Sequence, residues 1–303
     1  MPSESLAFER GTLWARIVQR SAEAIRSGAL QPIVTAVRIL EQGGIRFLVR
    51  VVGNLSRKDQ QSNQQYDGAE RTPNPFLPYE KDLLVAEIAG THLCLLNKFN
   101  VMEHHLLIVT RSFQDQQTML SLEDFEALSA CMLEFDGLGF YNGGSVAGAS
   151  QRHKHLQLVP LPLANRGPRV PIEPVLADAK FQGRLGIAEG LPYVHGIARL
   201  DEGVLHSPRM AAQAMFECYS ALLDKVGLKA ECDRAGAEQL RPYNLLVTRQ
   251  WMLLIPRSRE RFATISVNAL GFAGTLLVRN HQEMQILEAF GPLTILRRVG
   301  LGR

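Results

Sequence analysis

Three side chains at alternating positions, His153, His155 and Gln157, stand in the stretch NGGSVAGASQRHKHLQLVPLP, Asn142 to Pro162. On a strand, alternate residues share a face, so these three point one way and Lys154, Leu156 and Leu158 the other. A neutral imidazole is a good nucleophile toward phosphorus when a hydrogen bond to its other nitrogen fixes one tautomer. A nearby backbone carbonyl can supply that bond. Gln157 can hydrogen-bond a phosphate oxygen without adding negative charge. The preceding GGSVAGASQ offers backbone N–H groups that approach an anion closely, since glycine has no Cβ. Ser145, Ser150 and Gln151 add side-chain donors. Together these suit nucleophilic phosphoryl or nucleotidyl transfer, where positioning and charge neutralisation supply most of the catalysis. Each feature also has a plainer reading. An isolated H-x-H is a weak signal, two such histidines with a third ligand can hold zinc, and a glycine-rich run can be only a turn. Gln157 is a poor third zinc ligand, and the three features coincide in one short stretch.

The elements that must position these residues read as a mixture of strands and helices. Leu6 to Arg26 has helical apolar spacing, and IRFLVRVV (Ile45 to Val52) reads as a strand. Asn54 to Pro78 is polar and carries Pro73, Pro75 and Pro78, which predicts a long exposed loop. Leu93–Leu96 and His105–Val109 form an expected antiparallel pair. In SLEDFEALSACMLEF, Ser121 is the expected N-cap and Asp124 the capping-box acid, with Leu122, Phe125, Leu128 and Met132 on the buried face. The histidine strand follows, from Lys154 to Val159. After a proline-rich bridge come a helix over 211–226, two strands joined at Thr248-Arg249-Gln250, and a closing segment ISVNALGFAGTLLVRN. The expected architecture is α+β, an antiparallel sheet flanked by helices. Its expected division is an N-terminal catalytic part over 1–163 and a C-terminal part over 164–303 completing the site, the two forming one unit.

Composition narrows the function classes. The chain has 303 residues, 46% of them hydrophobic, enough for one large or two smaller cores. A formal charge of +3 argues against a general nucleic-acid coat and leaves room for a local phosphate pocket. No apolar run is long enough to span a bilayer, and the four cysteines form no CxxC pair. A cytoplasmic protein without membrane partners is the default expectation.

At GASQRHKHLQLVPLP the chain closely resembles the ATP adenylyltransferases, or diadenosine tetraphosphate phosphorylases, of the histidine-triad superfamily. The superfamily pattern is His-x-His-x-His, and this branch often carries Gln third, as Gln157 stands here. NPFLPYEKDLLV, LLNKFNVMEHHLLIVT, YNLLVTRQWMLLIPR and ISVNALGFAGTLLV resemble family segments in the family's order. The likeness runs from about Ser56 to Arg279, with nothing alignable by eye between Pro160 and Ala211. It implies a histidine-triad-like sheet and a two-step reaction. A dinucleoside tetraphosphate is attacked at its α-phosphorus, ATP leaves an adenylylated histidine, and inorganic phosphate takes the adenylyl group as ADP. It implies His155 as nucleophile, His153 as the group orienting it, in part through its backbone carbonyl, and Gln157 as a phosphate contact. Binding positions implied in the same way are Lys58, Asn97, Lys98, Asn142, Gly148, Ala149, Ser150, Gln151, Asn268, Ala269, Leu270, Thr275 and Arg279. Lys98 fits as a point charge on the polyphosphate. The family position matched by Arg279 is often lysine, so charge is kept while geometry differs. No tightly bound cofactor is implied, only a divalent cation, expected to be Mg2+, arriving with the nucleotide.

Other candidates read as structural. His104 and His105 are adjacent, so at most one can face a site on a strand, and the pair reads as structural. Trp251-Met252 reads as core, Arg257, Arg259 and Arg261 as a solvated face, and His92, His195, His206 and His281 have no assigned role. A hydrolase using the same histidine with water, a nucleotide-binding protein without turnover, and a zinc enzyme on His153 and His155 stand as alternatives.

Overall fold

Strand runs such as LLIVT and WMLLIP have no polar face, so they belong in a sheet covered on both sides. Both are buried along their whole length. The computed structural model describes residues 8–52, 74–201, 203, 207–228, 230–232 and 238–303. In chain order the first elements are α1 (Leu13–Ser27), β1 (Thr35–Gln42), β2 (Ile45–Val52), β3 (Leu84–Ile88), β4 (His92–Leu96) and β5 (Leu106–Thr110). Next come α2 (Leu122–Met132), β6 (Gly137–Gly143), β7 (His155–Pro160), α3 (Glu173–Ala177), β8 (Lys180–Gln182), β9 (Leu185–Ile187) and β10 (Gly196–Arg199). Then follow α4 (Pro208–Lys225), β11 (Ala230–Cys232), β12 (Glu238–Leu240), β13 (Tyr243–Val247), β14 (Trp251–Pro256), β15 (Arg261–Phe262) and β16 (Ile265–Ser266). The last are α5 (Ala269–Phe272), β17 (Thr275–Val278), α6 (His281–Phe290) and α7 (Pro292–Val299).

Ten strands form one antiparallel sheet in the order β3-β4-β5-β7-β6-β13-β14-β10-β9-β8. The histidine strand β7 lies fourth, between β5 and β6. One face carries Leu156 and Leu158 of β7 with Leu106, Ile108, Tyr141 and Leu245, and is covered by α1, α2 and α4. Phe125 of α2 meets Phe216 and Tyr219 of α4 there, and full burial of each such side chain is worth about 1.5–3 kcal/mol. The other face packs Leu138, Phe140, Leu246 and Leu253 against a second sheet, β1-β2-β17, through Phe47, Val49, Leu276 and Val278. β2 and β17 run parallel, so the first and last strands of the chain share a sheet.

The fold is α+β, as expected, and the parts on either side of 163/164 share one sheet. β13 of the second part pairs with β6 of the first. Helix α1 starts at Leu13 rather than Leu6, after Gly11, and ends where Gly28 takes the left-handed conformation (φ 79). Its buried side chains, Leu13, Ile17, Ser21 and Ala24, follow the helical repeat. The capping box at Ser121 and Asp124 is formed in both directions. The segment 160–211, unreadable by resemblance, supplies α3, the strands β8, β9 and β10 that extend the sheet, and the start of α4. Among the described residues no helix is long and apolar enough to cross a membrane.

Candidate functional site

His155 opens β7 opposite Val109 of β5, and its side chain is 4% exposed. Its Nδ1–H donates to the backbone carbonyl of His153 at 2.8 Å. A carbonyl can only accept, so the proton sits on Nδ1 and the Nε2 lone pair is left available. Burial lowers the imidazole to about 4 against the opposing pull of that hydrogen bond, so it is neutral at pH 7. His153 is itself buried. Its Nε2–H donates to the Thr110 carbonyl at 2.7 Å, and its Nδ1 accepts from the Asn74 amide at 3.0 Å. Burial likewise lowers its pKa.

Strands β6 and β7 pair only from Gly137/Pro160 to Phe140/Gln157 and then part. Gln116 fills the gap with its side-chain amide. Its Oε1 accepts from the His155 N–H at 2.8 Å, and its Nε2 donates to the carbonyls of His155 (3.1 Å) and Asn142 (2.9 Å). One buried amide thus stands in for the missing strand partner and fixes the spacing between His155 and the glycine-rich loop.

Gln157 is placed by His105, which donates from Nε2 to Gln157 Oε1 at 3.0 Å and accepts at Nδ1 from Asn97 at 3.2 Å. That chain leaves the Gln157 –NH2 pointing its donors elsewhere. Burial holds His105 at about 4, so it too is neutral at pH 7. His105 therefore belongs to the site and not only to the scaffold, a correction to the sequence reading. His104 does face away, bonded to Ser21 and edge-on to Trp14. Lys98, next to Asn97, is ion-paired with Glu80 at 2.8 Å.

Beyond Asn142 the chain makes a 3-10 turn, Ser145–Ala147, between Gly144 and Gly148. Gly148 has φ 90, and a Cβ there would stand 2.8 Å from the Val267 carbonyl and 2.9 Å from Asn268 Cα. Glycine is thus demanded here by the left-handed backbone and by packing against the Asn268 turn. The N–H groups of Gly148 and Ala149 close the turn on Ser145 and Gly144, whereas those of Ser150 and Gln151 have no internal partner among the described residues. Asn142 Oδ1 accepts from Asn244 Nδ2 (2.8 Å) and Ala269 N–H (2.9 Å), while Asn268 caps Leu270 N–H at 3.0 Å. The loop and the Asn268–Leu270 turn therefore form one wall.

Arg257 locks that wall, against the expectation of a solvated arginine face. It is 4% exposed and donates to Asn244 Oδ1 (2.6 Å) and to the carbonyls of Ala147 (3.2 Å), Val267 (2.8 Å) and Val299 (3.2 Å). Burial lowers its pKa to about 9, so the guanidinium is charged at pH 7. Behind β7, Lys154 pairs with the buried Asp124 at 2.5 Å, and His92 bonds the same carboxylate at 3.0 Å. Burial pushes Asp124 up, but the His92 hydrogen bond and the Lys154 charge outweigh it and hold the carboxyl below its usual range. The capping acid of α2 thereby also anchors the polar back of the histidine strand.

Residues 54–73 of the expected exposed loop lie outside the described residues, and at its end Pro75, Leu77 and Pro78 are exposed while Phe76 alone turns inward. Phe76 is 6% exposed and stands against the rings of His153 and His155, with centroids at 5.6 and 5.5 Å. Thr275 lies on β17 with a buried Oγ1 that has no hydrogen-bond partner among the described residues. Arg279 follows β17, is paired with Glu283 at 2.9 Å and donates to the Thr264 carbonyl at 2.9 Å. Lys58 lies outside the described residues.

His153, His155, Gln157, Asn97, Asn142 and Asn268–Leu270 are thus linked by direct contacts, with the Gly148–Gln151 run tied to them through Ala147 and Gly148, and three residues that sequence reasoning did not place in the site join them. For His105 the signal was its place one residue before β5. For Gln116 and Arg257 no local pattern existed. A zinc pair on His153 and His155 loses its ligands to hydrogen bonds, since both His153 nitrogens are taken. Among the described residues no three His, Cys, Asp or Glu side chains gather as a metal group. The arrangement offers one neutral nucleophilic nitrogen beside amide and backbone donors, which is suited to attack on a phosphorus held as an anion.

Comparison with known proteins agrees with that chemistry. The Ap4A phosphorylase N-terminal domain matches residues 3–178 and the ATP adenylyltransferase C-terminal domain residues 189–302, so the likeness also takes in most of the segment not alignable by eye. Diadenosine 5',5'''-P1,P4-tetraphosphate phosphorylase 2 of Saccharomyces cerevisiae is 26% identical over 241 residues, 72% of either chain. Protein APA1 of the same yeast is 28% identical over 232 residues, 68% of either chain. The crystal structure of yeast Ap4A phosphorylase Apa2 superimposes with a TM-score of 0.78 at 21% identity, covering 97% of this chain and 98% of that one. The structure of Apa2 in complex with Ap4A gives 0.73 at 22% identity, covering 97% and 99%. These superpositions establish a shared fold.

Proposed function

The chain belongs to the family of Ap4A phosphorylases and ATP adenylyltransferases, and we propose on that basis that it converts diadenosine tetraphosphate (Ap4A) and phosphate to ADP and ATP through adenylyl-His155. The observation that carries this reading is the Nδ1–H bond from His155 to the His153 carbonyl, which leaves Nε2 as the nucleophile. In the first step the Nε2 lone pair forms a bond to the α-phosphorus, the phosphorus–oxygen bond to the rest of the polyphosphate breaks, and ATP departs. The imidazole ring becomes cationic, and the His153 carbonyl, already accepting its Nδ1–H, favours that charge. In the second step a phosphate oxygen attacks the same phosphorus, the phosphorus–nitrogen bond breaks, and ADP leaves with His155 neutral again.

The remaining groups fit the binding of an anion. Gln157, oriented by His105, presents its –NH2 to a phosphate oxygen, and the Ser150 and Gln151 N–H groups serve another. Lys98 supplies charge once the polyphosphate displaces Glu80 from it. Thr275, on the second sheet, and Arg279, just after it, are assigned to the nucleotide more remotely. The donors lining the site are neutral or cationic and do not make a metal cage. Mg2+ accordingly enters bound to the phosphates of the substrate, and no step runs through it.

The test is mass spectrometry of the protein after brief exposure to Ap4A without phosphate. An AMP-sized addition on His155, discharged as ADP when phosphate is added and absent from His155→Ala, is the expected result. Consumption of Ap4A at the same rate with and without phosphate, or an adduct on another residue, overturns the reading.

A further inference from the structure

Phosphate and water compete for an adenylylated histidine, and the chain Asn74–Glu80 sits where that competition is decided. Asn74 donates to His153 Nδ1 at 3.0 Å and accepts from the Phe76 N–H at 3.0 Å, which fixes the start of this segment on the histidine strand. Glu80, at its end, is held by Lys98. Between them Phe76 is buried with Leu93, Leu95, Leu107 and Val109 of β4 and β5. Val109 and Leu107 are the register partners of His155 and Gln157. The apolar cluster therefore runs up to His155 itself, with the Phe76 ring set against both imidazoles.

We infer that Phe76 sets the acceptor of the reaction proposed above by keeping water from one side of adenylyl-His155, so that phosphate entering from the donor-lined side takes the adenylyl group. The chemistry of the two acceptors differs in a way this geometry exploits. When water attacks, the phosphorus–nitrogen bond breaks, AMP forms, and one proton must be removed from the attacking oxygen. When the phosphate dianion attacks, the same bond breaks, ADP forms, and no proton has to leave. Water thus needs a base and phosphate does not. Among the described residues no carboxylate is hydrogen-bonded to His153, His155, His105 or Gln157. An apolar ring over the remaining approach leaves a water there neither a base nor a hydrogen-bonding partner to orient it.

The experiment follows the fate of the adduct in the full-length protein. Native enzyme, Phe76→Ala, Phe76→Val and Phe76→Leu are each supplied with Ap4A at a fixed, moderate phosphate concentration, and AMP and ADP are quantified. Phe76→Ala is expected to raise the AMP-to-ADP ratio about tenfold, Phe76→Val less, and Phe76→Leu, which keeps an apolar cover, by under about threefold. An unchanged ratio in Phe76→Ala, or in Phe76→Val should the alanine variant not fold, overturns the inference, whatever happens to KM. Adduct formation on His155 is measured in parallel. Its absence from the native enzyme would defeat the proposed function, whereas a normal adduct with an unchanged product ratio defeats only the role of Phe76.

Discussion

Acid should unfold this protein before it disarms the nucleophile. His155 is lowered to about 4 by burial, against an ordinary histidine value near 6.5. At pH 5 a group of that pKa is still about nine-tenths neutral, whereas an unperturbed histidine would be neutral in only about one molecule in thirty. The first half-reaction, formation of the adduct from Ap4A without phosphate in a single turnover, should therefore slow by less than about twofold between pH 8 and pH 5. Stability behaves differently. His105, His155 and His195 are each lowered to about 4 by burial. Their folded pKa values lie below the unfolded one, so their contribution is complete above pH 6.5 and is lost as pH falls toward 4. Each costs about 2 kcal/mol at pH 5, about 6 kcal/mol together, a large part of the total stability of a typical domain. Urea midpoints at pH 7.5 and pH 5 measure this loss, and a pH jump on a time shorter than unfolding measures the chemistry. A roughly thirtyfold fall in adduct formation by pH 5, with the protein still folded, would refute the buried, neutral, Nδ1-tethered nucleophile.

His105→Ala should slow adduct formation about tenfold to a hundredfold with a smaller change in KM, because Gln157 loses the donor that orients it; stopped-time assays of the first half-reaction check this. Arg257→Met leaves carbonyls of the glycine-rich loop and the Asn268 turn without a donor. It should cost about 3 kcal/mol or more in urea denaturation and raise KM for Ap4A, with Arg257→Lys failing to restore either.

The sequence by itself determined which residues face the same way. Two-residue alternation placed His155 and Gln157 on one face, and the Ser121–Asp124 spacing placed a helix start. Side-chain periodicity is a local property, and the family likeness then assigned the nucleophile. What the sequence left open was which distant groups arrive opposite those faces. Gln116 grips His155 from 39 residues away, His105 meets Gln157 across 52, and Arg257 reaches Ala147 across 110. No short-range pattern encodes such pairs, because strand register and the parting of β6 from β7 bring them together. The Arg-x-Arg-x-Arg run looked solvated since charge favours water, yet a ring of backbone carbonyls around Arg257 compensates its burial. Likewise the prolines near Phe76 signalled an exposed loop, and only the tertiary structure folded that ring onto the histidines.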